Sequence, residues 1–383
     1  MSEGAAADYT ALTDAIGPLV ARTREVAEDL RLLYVTNLRA GEEPLRDLGP
    51  DGVRNTAQYY TRLEADEIVR SFQGLGLTVE PFFSERKFFD AILDGELPPD
   101  RRQRIVYSTA EGGSGPGRRA LLPALCNLLG LPILNCGAHA SSLVRHKFHA
   151  YSVLRLVGVR VAETWQFDGG RWAGGRQPPL GSSVIVKPAY ESMGIGVDSN
   201  SVQVVDVGFD RFVEEKSRRF AQPAVVQAFI SGEEVGVPVA RIGATYSLPP
   251  IAQRQANGES YGGRPKTFED EHARGNLSHH LYEASDVQIE ALRGAAAAAF
   301  DALDMKGVGR IDFRVDADGR AWVFDTNGEP PPLAKTCWGF AMSQLGFSFE
   351  DMLALWVGIC LRDYRLDQES AQKESSTAGI SRP

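Results

Sequence analysis

The sequence contains no apolar stretch long enough to cross a membrane and no long run of lysine or arginine. Its 383 residues carry 41 Lys and Arg against 50 Asp and Glu, which gives a formal net charge of -9. Such an acidic balance disfavours a nucleic-acid-binding surface. Residues 1–8 also lack the charged and apolar regions of a signal peptide. We therefore expect a cytoplasmic protein that contacts neither membrane nor nucleic acid.

The four cysteines are far apart and form no Cys-x-x-Cys pair, so we expect reduced thiols rather than disulfides or a zinc site. The six histidines show no metal-binding spacing either. The chain also has no Gly-x-Ser-x-Gly elbow and no P-loop. These absences disfavour zinc enzymes, α/β-hydrolases and P-loop nucleotide hydrolases.

The composition, 43% hydrophobic and 24% charged, is typical of a globular protein with two or three domains. Apolar positions at helical spacing predict a helix over 9–30. Strands and helices then alternate through 31–138, with strands at 32–35, 105–107 and 131–134, and this rhythm predicts a parallel sheet. Helices are expected at 140–157 and 285–304, and the polar segment 366–383 is expected to be disordered.

A hairpin is predicted over 307–327, where two alternating apolar and polar runs flank the turn pair Asp318-Gly319. In a type I′ turn centred on this pair, residues equally distant from Asp318 and Gly319 along the two strands would lie opposite each other. Phe313 would then face Phe324, and Val315 would face Trp322, along one apolar face.

The other face of this hairpin would carry Asp312 opposite Asp325 and Arg310 opposite Asn327. Two carboxylates directly opposite each other destabilise a sheet unless a cation neutralises them. Magnesium prefers such oxygen ligands and often adds substrate phosphates to one or two carboxylates. The hairpin is thus a candidate magnesium site, and an ordinary solvated sheet face is the alternative.

Two lysines and an acidic turn are candidates for nucleotide binding. Lys187 ends the apolar strand 184–187 and precedes a glycine-bearing loop whose backbone N–H groups suit phosphate oxygens. Lys147 lies in the helix predicted at 140–157, and Ser231 to Glu234 connect strands predicted at 225–230 and 235–240. A plain β-turn, a surface lysine and an exposed acidic turn are the respective alternatives.

In this order the segments resemble the D-alanine–D-alanine ligase branch of the ATP-grasp superfamily, over roughly residues 32–361. The most specific match is 309–313 followed by 325–327, which corresponds to the family's Arg-x-Asp and Glu-x-Asn motifs. Residues 186–191 resemble its phosphate loop, and 225–234 resemble its adenine hinge. Residues 140–159 resemble the helix that bears an ATP-binding lysine.

The resemblance implies an α/β protein with an N-terminal Rossmann-like parallel-sheet domain followed by a two-subdomain ATP-grasp fold. The expected parts are a helical extension (1–30), the Rossmann-like domain (31–138), a central subdomain (139–220), a C-terminal subdomain (221–365) and the tail (366–383). Dimers are common in the family, so we expect a homodimer. The helix at 9–30 would either join that interface or pack on its own domain.

The resemblance also implies roles for individual residues. The catalytic residues would be Arg310, for the oxyanion, and Lys266, for the γ-phosphate. Metal binding falls on Asp312, Asp325 and Asn327, with two Mg²⁺ expected and Mn²⁺ as the alternative metal. The ATP-binding residues would be Lys147, Lys187, Glu191, Gln227, Ala228, Ile230, Glu234 and Phe324. Lys335 and Thr336 would bind the carboxylate of the amine substrate.

Several departures from the family pattern disfavour D-alanine as the substrate. Asp325 replaces the usual Glu, Gln227 replaces a hinge Glu, and Thr267 replaces a tyrosine. Pro331 replaces a glycine whose backbone N–H would help to bind the oxyanion, and proline has no N–H. The early segments that handle the first D-alanine in the family are not recognisable here.

From these observations we expect an ATP-dependent ligase that joins a carboxylate to an amine through an acyl phosphate, in specialised-metabolite or dipeptide synthesis. The small-molecule substrates would be an amino acid or small peptide and an amine. Three alternatives remain open: a D-alanine–D-alanine ligase of cell-wall synthesis, a non-catalytic ATP-binding relative, and an ATP-grasp kinase.

Overall fold

The computed structural model describes residues 3–39, 59–95, 97, 101–272 and 277–377. The helices are α1 Glu3–Val26, α2 Arg62–Gly74, α3 Glu85–Leu93, α4 Leu121–Leu129, α5 Ala138–Arg145, α6 Lys147–Leu156, α7 Phe209–Phe220, α8 Phe268–His272, α9 Asp286–Ala302, α10 Cys337–Gln344 and α11 Phe349–Thr377. The strands are β1 Leu30–Val35, β2 Thr78–Phe82, β3 Gln103–Ser108, β4 Thr164–Asp168, β5 Arg171–Trp172, β6 Ser183–Pro188, β7 Val202–Val204, β8 Ala224–Ala228, β9 Glu233–Ile242, β10 Ala244–Ser247, β11 Ile251–Gln255, β12 Leu277–Leu281, β13 Val308–Val315 and β14 Ala321–Asn327.

The first sheet is parallel, as its sequence rhythm predicts, with the order β2-β1-β3. Strand β1 is apolar at nearly every position because both of its faces are covered. Leu32 and Tyr34 point into one hydrophobic cluster, and Leu33 and Val35 point into another. The strand expected at 131–134 contributes only an isolated bridge between Ile133 and Val106.

Two further sheets build the rest of the chain. One has the order β5-β4-β8-β6-β7, and the other has the order β12-β11-β9-β13-β14 with β10 attached to β9. The strand expected at 225–230 ends at Ala228 and pairs with β4 and β6. The chain passes from one sheet to the next at 229–232. The predicted subdomain boundary between 220 and 221 stays a prediction.

Helix α1 packs on its own chain. Leu12, Ile16 and Val20, spaced four residues apart, enter the same buried cluster as α11. Gly358 of α11 allows a close approach, because a Cβ there would lie 2.7 Å from Leu19 Cγ. At the other end of α1 the guanidinium of Arg293 lies 4.6 Å from the Tyr9 ring.

Two helical predictions need correction. The helix expected at 140–157 is broken at His146 (φ −91°, ψ 88°) into α5 and α6, so Lys147 begins a helix instead of lying inside one. The segment 366–383, expected to be disordered, is helical as far as Thr377, and 378–383 lie outside the described residues. Extending the existing helix α11 through strong helix formers avoids the cost of a new nucleus.

The four cysteine thiols are all buried and unpaired. Within the described ranges no single helix meets the length and hydropathy needed to span a membrane; α10 and α11 do so only as a pair bent by 104°.

Candidate active site

The hairpin β13–β14 places the predicted polar pairs opposite each other. Asp312 faces Asp325 and Arg310 faces Asn327, as the sequence predicts. The apolar pairs were predicted wrongly, because Phe313 pairs with Val323 and Val315 with Ala321.

The register differs because the turn is not the expected two-residue type. Only Gly319 of the pair Asp318-Gly319 has a positive φ, whereas a type I′ turn requires both. The Asp316 carboxylate accepts from the backbone N–H groups of Asp318 and Arg320 and organises a longer loop. A register shift next to Asp312 then leaves Phe324 as an extra residue, which restores the Asp312–Asp325 alignment.

The two opposed carboxylates are each held by a cation. Arg310 Nε and Nη2 donate to the two oxygens of Asp312 at 2.7 Å each, and Lys147 Nζ donates to Asp325 Oδ1 at 2.9 Å. Burial raises the pKa of Asp312 despite Arg310. Burial also acts to raise the pKa of Asp325, but Lys147 outweighs it, so the pKa lies below its usual range.

This donor set fits a hard divalent cation. It offers two carboxylates and the Asn327 amide on adjacent positions of one hairpin face, a set that magnesium completes with phosphate oxygens. No group of three or more His, Cys, Asp or Glu that could hold a metal by itself occurs in the described part of the chain.

Lys187 lies below this hairpin, at the end of β6. Its Nζ donates to Gln227 Oε1 at 3.0 Å and to the Phe324 carbonyl at 3.4 Å. Phe324 is the extra residue of β14 and has no paired residue in β13. Burial, followed by the charge of Lys147, lowers the pKa of Lys187 to about 7. The carboxylate of Glu191 in the following loop accepts hydrogen bonds from Arg118 and Gln222, and these bonds stabilise the loop.

Phe229 and Ile230, which follow β8, line the same cleft as Phe324. The buried carboxylate of Glu234 uses Oε1 to accept from Arg314 at 2.6 Å. Its Oε2 has no hydrogen-bond partner among the described residues. A buried acceptor oxygen of this kind requires a donor, and a ligand hydroxyl would supply one.

Lys266 lies across the cleft, in a segment we call the lid (residues 261–272). Its Nζ lies 2.8 Å from Gln253 Oε1, 2.5 Å from Glu271 Oε1 and 3.7 Å from Glu234 Oε2. Burial alone would lower the pKa of Lys266, but Glu271 and Glu234 hold it above the usual value. The ammonium is therefore charged, and these three acceptors hold it at the cavity.

All the residues predicted from the sequence for catalysis, metal, ATP and substrate line one cavity of about 410 Å³. Its size is in the range of small-molecule sites. Lys335 is exposed at its rim. The Thr336 hydroxyl caps α10 by accepting from Gly339 N, and it donates to the Leu333 carbonyl. These bonds leave Thr336 less able to bind a substrate than the sequence suggests.

The far end of the cavity contains charged residues that sequence reasoning missed. Arg119 Nη1 donates to Glu329 Oε2 at 2.7 Å, and Glu329 Oε1 accepts from Ser141 at 3.2 Å. Behind them the buried Glu111 is surrounded by arginines, which lower its pKa to about 2 although burial alone would raise it. Arg119 and Glu329 are 210 residues apart, so no local pattern could have joined them.

A row of polar residues crosses the sheet β12-β11-β9-β13 and contains Glu234, which the sequence predicted, and three residues that it missed. In the strand register His279 lies opposite Gln253, Gln253 lies opposite Glu234, and Glu234 lies opposite Arg314. Burial and the nearby Arg310 lower the pKa of His279 to about 4, so it is neutral near pH 7. One sequence signal existed, because Arg314 shares the strand face of Arg310 and Asp312 by the two-residue period.

A family model described as D-ala D-ala ligase C-terminus matches residues 157–357. The chain belongs to the D-alanine–D-alanine ligase family. A D-alanine–D-alanine ligase from Bordetella petrii is 28% identical over 238 residues, which cover 62% of this chain and 70% of that protein. One from Frankia casuarinae is 28% identical over 283 residues, covering 72% and 70%.

The solved structures agree on the fold. A D-alanine–D-alanine ligase from Bacillus anthracis complexed with ATP aligns with a TM-score of 0.63 at 16% identity, covering 88% of this chain and 99% of that one. VanG D-Ala:D-Ser ligase from Enterococcus faecalis aligns with a TM-score of 0.60 at 16% identity, covering 86% and 99%. The protein is thus an ATP-dependent carboxylate–amine ligase with the ATP-grasp fold, as its motifs predict. The curated relatives favour the D-alanine–D-alanine alternative over the specialised-metabolite reading of the sequence.

Proposed function

We propose that this ligase joins two molecules of D-alanine at the expense of ATP. The observation that carries the proposal is the placement of Asp312 opposite Asp325, with Lys147, Lys187, Lys266 and Arg310 around the same cavity. Four cations around an oxygen-ligand site suit the transfer of a phosphoryl group. The choice of D-alanine rests on the names of the curated relatives.

In this proposal ATP occupies the cleft between the two antiparallel sheets. Its adenine lies between Phe324 and the segment that carries Gln227, Ala228 and Ile230, all of which border the cavity. Oε2 of Glu234 has no hydrogen-bond partner among the described residues and lies 3.7 Å from Lys266 Nζ, and it accepts a hydrogen bond from a ribose hydroxyl. Arg314 at Oε1 and Lys266 near Oε2 already balance the charge of Glu234, so its carboxylate suits a neutral hydroxyl.

The phosphates then extend towards the hairpin. Lys147 and Lys187 approach them from the central subdomain, and Lys266 approaches from the lid. Asp312, Asp325 and Asn327 would hold magnesium, which would neutralise charge on the transferring phosphoryl group. Arg310 keeps Asp312 oriented towards the cavity through its two hydrogen bonds.

The chemistry takes two steps. A carboxylate oxygen of the first D-alanine attacks the γ-phosphorus, the bond to ADP breaks, and an acyl phosphate forms. The amine nitrogen of the second D-alanine then attacks the acyl carbon, phosphate leaves, and the amine loses a proton to give the amide. Arg310 is placed to donate to the oxyanion of the tetrahedral species, and the lid excludes the water that would hydrolyse the acyl phosphate.

The test is an assay of ADP release with purified protein, Mg²⁺ and ATP, with mass spectrometry of the product. We expect D-alanine to stimulate ADP release and to yield D-alanyl-D-alanine, while L-alanine gives neither. The Asp312→Asn variant serves as the matched control and should be inactive. ADP release that is indifferent to D-alanine, with the wild-type protein folded and binding ATP, would refute the choice of substrate.

A second candidate is a ligase for a different pair of amino acids. Pro331 favours it, because the chain has no backbone donor where the family has a glycine N–H. The Arg119–Glu329 ion pair at the end of the cavity points the same way, since it offers both charges to a larger zwitterionic substrate. A screen of ADP release over pairs of L- and D-amino acids separates the two candidates.

A further inference from the structure

Arg314 is a buried arginine that takes no part in the proposed phosphoryl transfer or amide formation. It lies on β13, two residues after Asp312, and borders the same cavity. Its side chain is 6% exposed, so its charge must be met by protein groups or by a ligand. The guanidinium lies 5.5 Å from the Phe229 ring and 6.0 Å from the Phe324 ring, beside the proposed adenine site.

The guanidinium of Arg314 joins three separate parts of the site. Nη2 donates to Glu234 Oε1 at 2.6 Å, and Nη1 donates to the Gly232 carbonyl at 3.2 Å. The remaining two bonds reach the lid, from Nη1 to the Gly262 carbonyl at 3.0 Å and from Nη2 to the Arg264 carbonyl at 2.8 Å. One side chain therefore contacts the proposed ribose ligand, the segment between the two sheets and the lid.

The rest of the lid is held at its opposite end by residues 194–197, which lie between β6 and β7. Phe268 N donates to the Val197 carbonyl at 3.1 Å. Gly194 lies against the same backbone, where a Cβ would come within 2.8 Å of Phe268 N. Lys266 lies between these two attachments, so its position over the phosphates depends on both of them.

We propose that Arg314 is a positioning residue that couples closure of the lid to occupation of the nucleotide site. The proposal rests on the roles proposed above for Glu234 and Lys266. A ribose that binds Glu234 restrains this carboxylate, the carboxylate restrains the guanidinium, and the guanidinium restrains the carbonyls of Gly262 and Arg264. Lys266 is thereby held in place when ATP is present, and by reciprocity a closed lid strengthens ATP binding.

Only a guanidinium can make this set of bonds. Arginine has a planar fork of five donors, whereas lysine has a single point of attachment. A methionine at this position would fill the volume but leave the lid carbonyls without donors. Arg314→Met and Arg314→Lys therefore remove the bridge in two ways, one without the charge and one with it. Arg320→Met is the matched control, because Arg320 is exposed in the loop of the same hairpin and, among the residues that the structure describes, its side chain bonds only Asp316 and Asp318.

The deciding measurement is hydrogen exchange of peptides that cover the lid, with and without Mg²⁺ and the non-hydrolysable β,γ-imido analogue of ATP. We expect the analogue to slow exchange at 261–266 by about tenfold or more in the wild type and in Arg320→Met. In Arg314→Met the slowing should fall to about twofold or less, at analogue concentrations that calorimetry shows to be saturating. Wild-type protection in Arg314→Met would overturn the proposal. If that variant does not fold, the result for Arg314→Lys decides in the same way.

A second readout is the ratio of phosphate released to amide formed. A loosely held lid admits water to the acyl phosphate, so the ratio should rise in both Arg314 variants and remain near that of the wild type in Arg320→Met. Failure of the substrate assignment is a separate outcome. It would leave the wild type inactive with D-alanine, while the Arg314-dependent protection by the ATP analogue persists.

Discussion

At Arg310 one guanidinium has two tasks. Nε and Nη2 are committed to Asp312, while Nη1 has no hydrogen-bond partner in the described part of the chain and the residue lines the cavity. The fixed Asp312 partner orients the planar group without using all of its donors. A donor held in this manner suits an oxyanion that exists only in the transition state, and none is available from the backbone of Pro331.

We expect Arg310→Ala to lower kcat by about a hundredfold or more, the usual scale for the loss of one oxyanion donor. Affinity for ATP measured without Mg²⁺ should change by no more than about threefold, because the oxyanion donor acts after ATP has bound and the Asp312 contact acts only through the metal. Steady-state ADP release and calorimetry measure the two quantities. A variant that loses ATP affinity and retains kcat would contradict the oxyanion role.

Lys187 gives a prediction about protons. Its pKa is lowered to about 7, first by burial and then by Lys147, so above pH 7 most of the free protein carries a neutral amine there. Phosphates favour the charged form and raise this pKa, so binding of ATP at pH 8 should take up a proton. Calorimetry in buffers of different ionisation enthalpy measures the uptake. It should vanish in Lys187→Arg, whose side chain is always charged.

Among the elements, the hairpin β13–β14 shows how far sequence reasoning extends. Alternation predicted the strands and the face that carries Asp312 and Asp325. The turn chemistry was misjudged by one residue, and the extra residue at Phe324 compensated for it, so the carboxylate pair was right and the apolar pairs were wrong. A bulge leaves no mark in the two-residue pattern until both strands are seen together.

The alignment of His279, Gln253, Glu234 and Arg314 across four strands could not be predicted, for a different reason. It depends on strand order, in which β9 lies between β11 and β13 although β10, β11 and β12 intervene in the chain. The Arg119–Glu329 pair has the same character, since it joins the first domain to the end of the hairpin. The local sequence pattern specifies which side chains share a strand face, whereas contacts between distant segments depend on the spatial order of the strands in a sheet.

A substitution at Gly232 tests the packing of the hinge segment (residues 225–234) against β13. A Cβ there would collide with the carbonyl of Val315, because the segment between β8 and β9 passes directly over the end of β13. We expect Gly232→Ala to lower the free energy of unfolding by about 1–3 kcal/mol, the usual cost of overpacking, and to weaken ATP binding. Denaturant unfolding and calorimetry measure these effects.

Gly263→Ala is the control for that variant. A Cβ at Gly263 would meet nothing within 4 Å, so this substitution should change the free energy of unfolding by no more than about 0.5 kcal/mol. Equal losses in both variants would show that the close approach at Gly232 is not the cause.

At the scale of the whole molecule, α1 packs against the C-terminal half of the chain and belongs to its hydrophobic core. It contacts α11 near one end, where Arg24 pairs with Asp351, and approaches Arg293 of α9 through Tyr9 at the other. These contacts join the start of the chain to its C-terminal half. The predicted homodimer remains a prediction, and α1 offers its apolar face to its own chain.

Leu12 measures what this packing contributes. The side chain is fully buried, so Leu12→Ala should lower the free energy of unfolding by about 2–5 kcal/mol. The exposed Arg22 on the same helix serves as control, and Arg22→Ala should stay within about 0.5 kcal/mol. Urea unfolding followed by circular dichroism measures both. A loss below about 1 kcal/mol for Leu12→Ala would mean that α1 is not part of the cooperative fold.

The burial of all four thiols gives the native state a chemical signature. Burial raises the pKa values of Cys126, Cys136 and Cys337 to about 12, and raises that of Cys360 as well, so little thiolate is present at neutral pH. Since the thiolate is the form that alkylating reagents attack, intact molecules resist labelling while opened ones react. The positions of the labels, mapped by mass spectrometry of peptides, therefore report which layer has opened: Cys126 marks the packing on the parallel sheet, and Cys360 marks the long C-terminal helix.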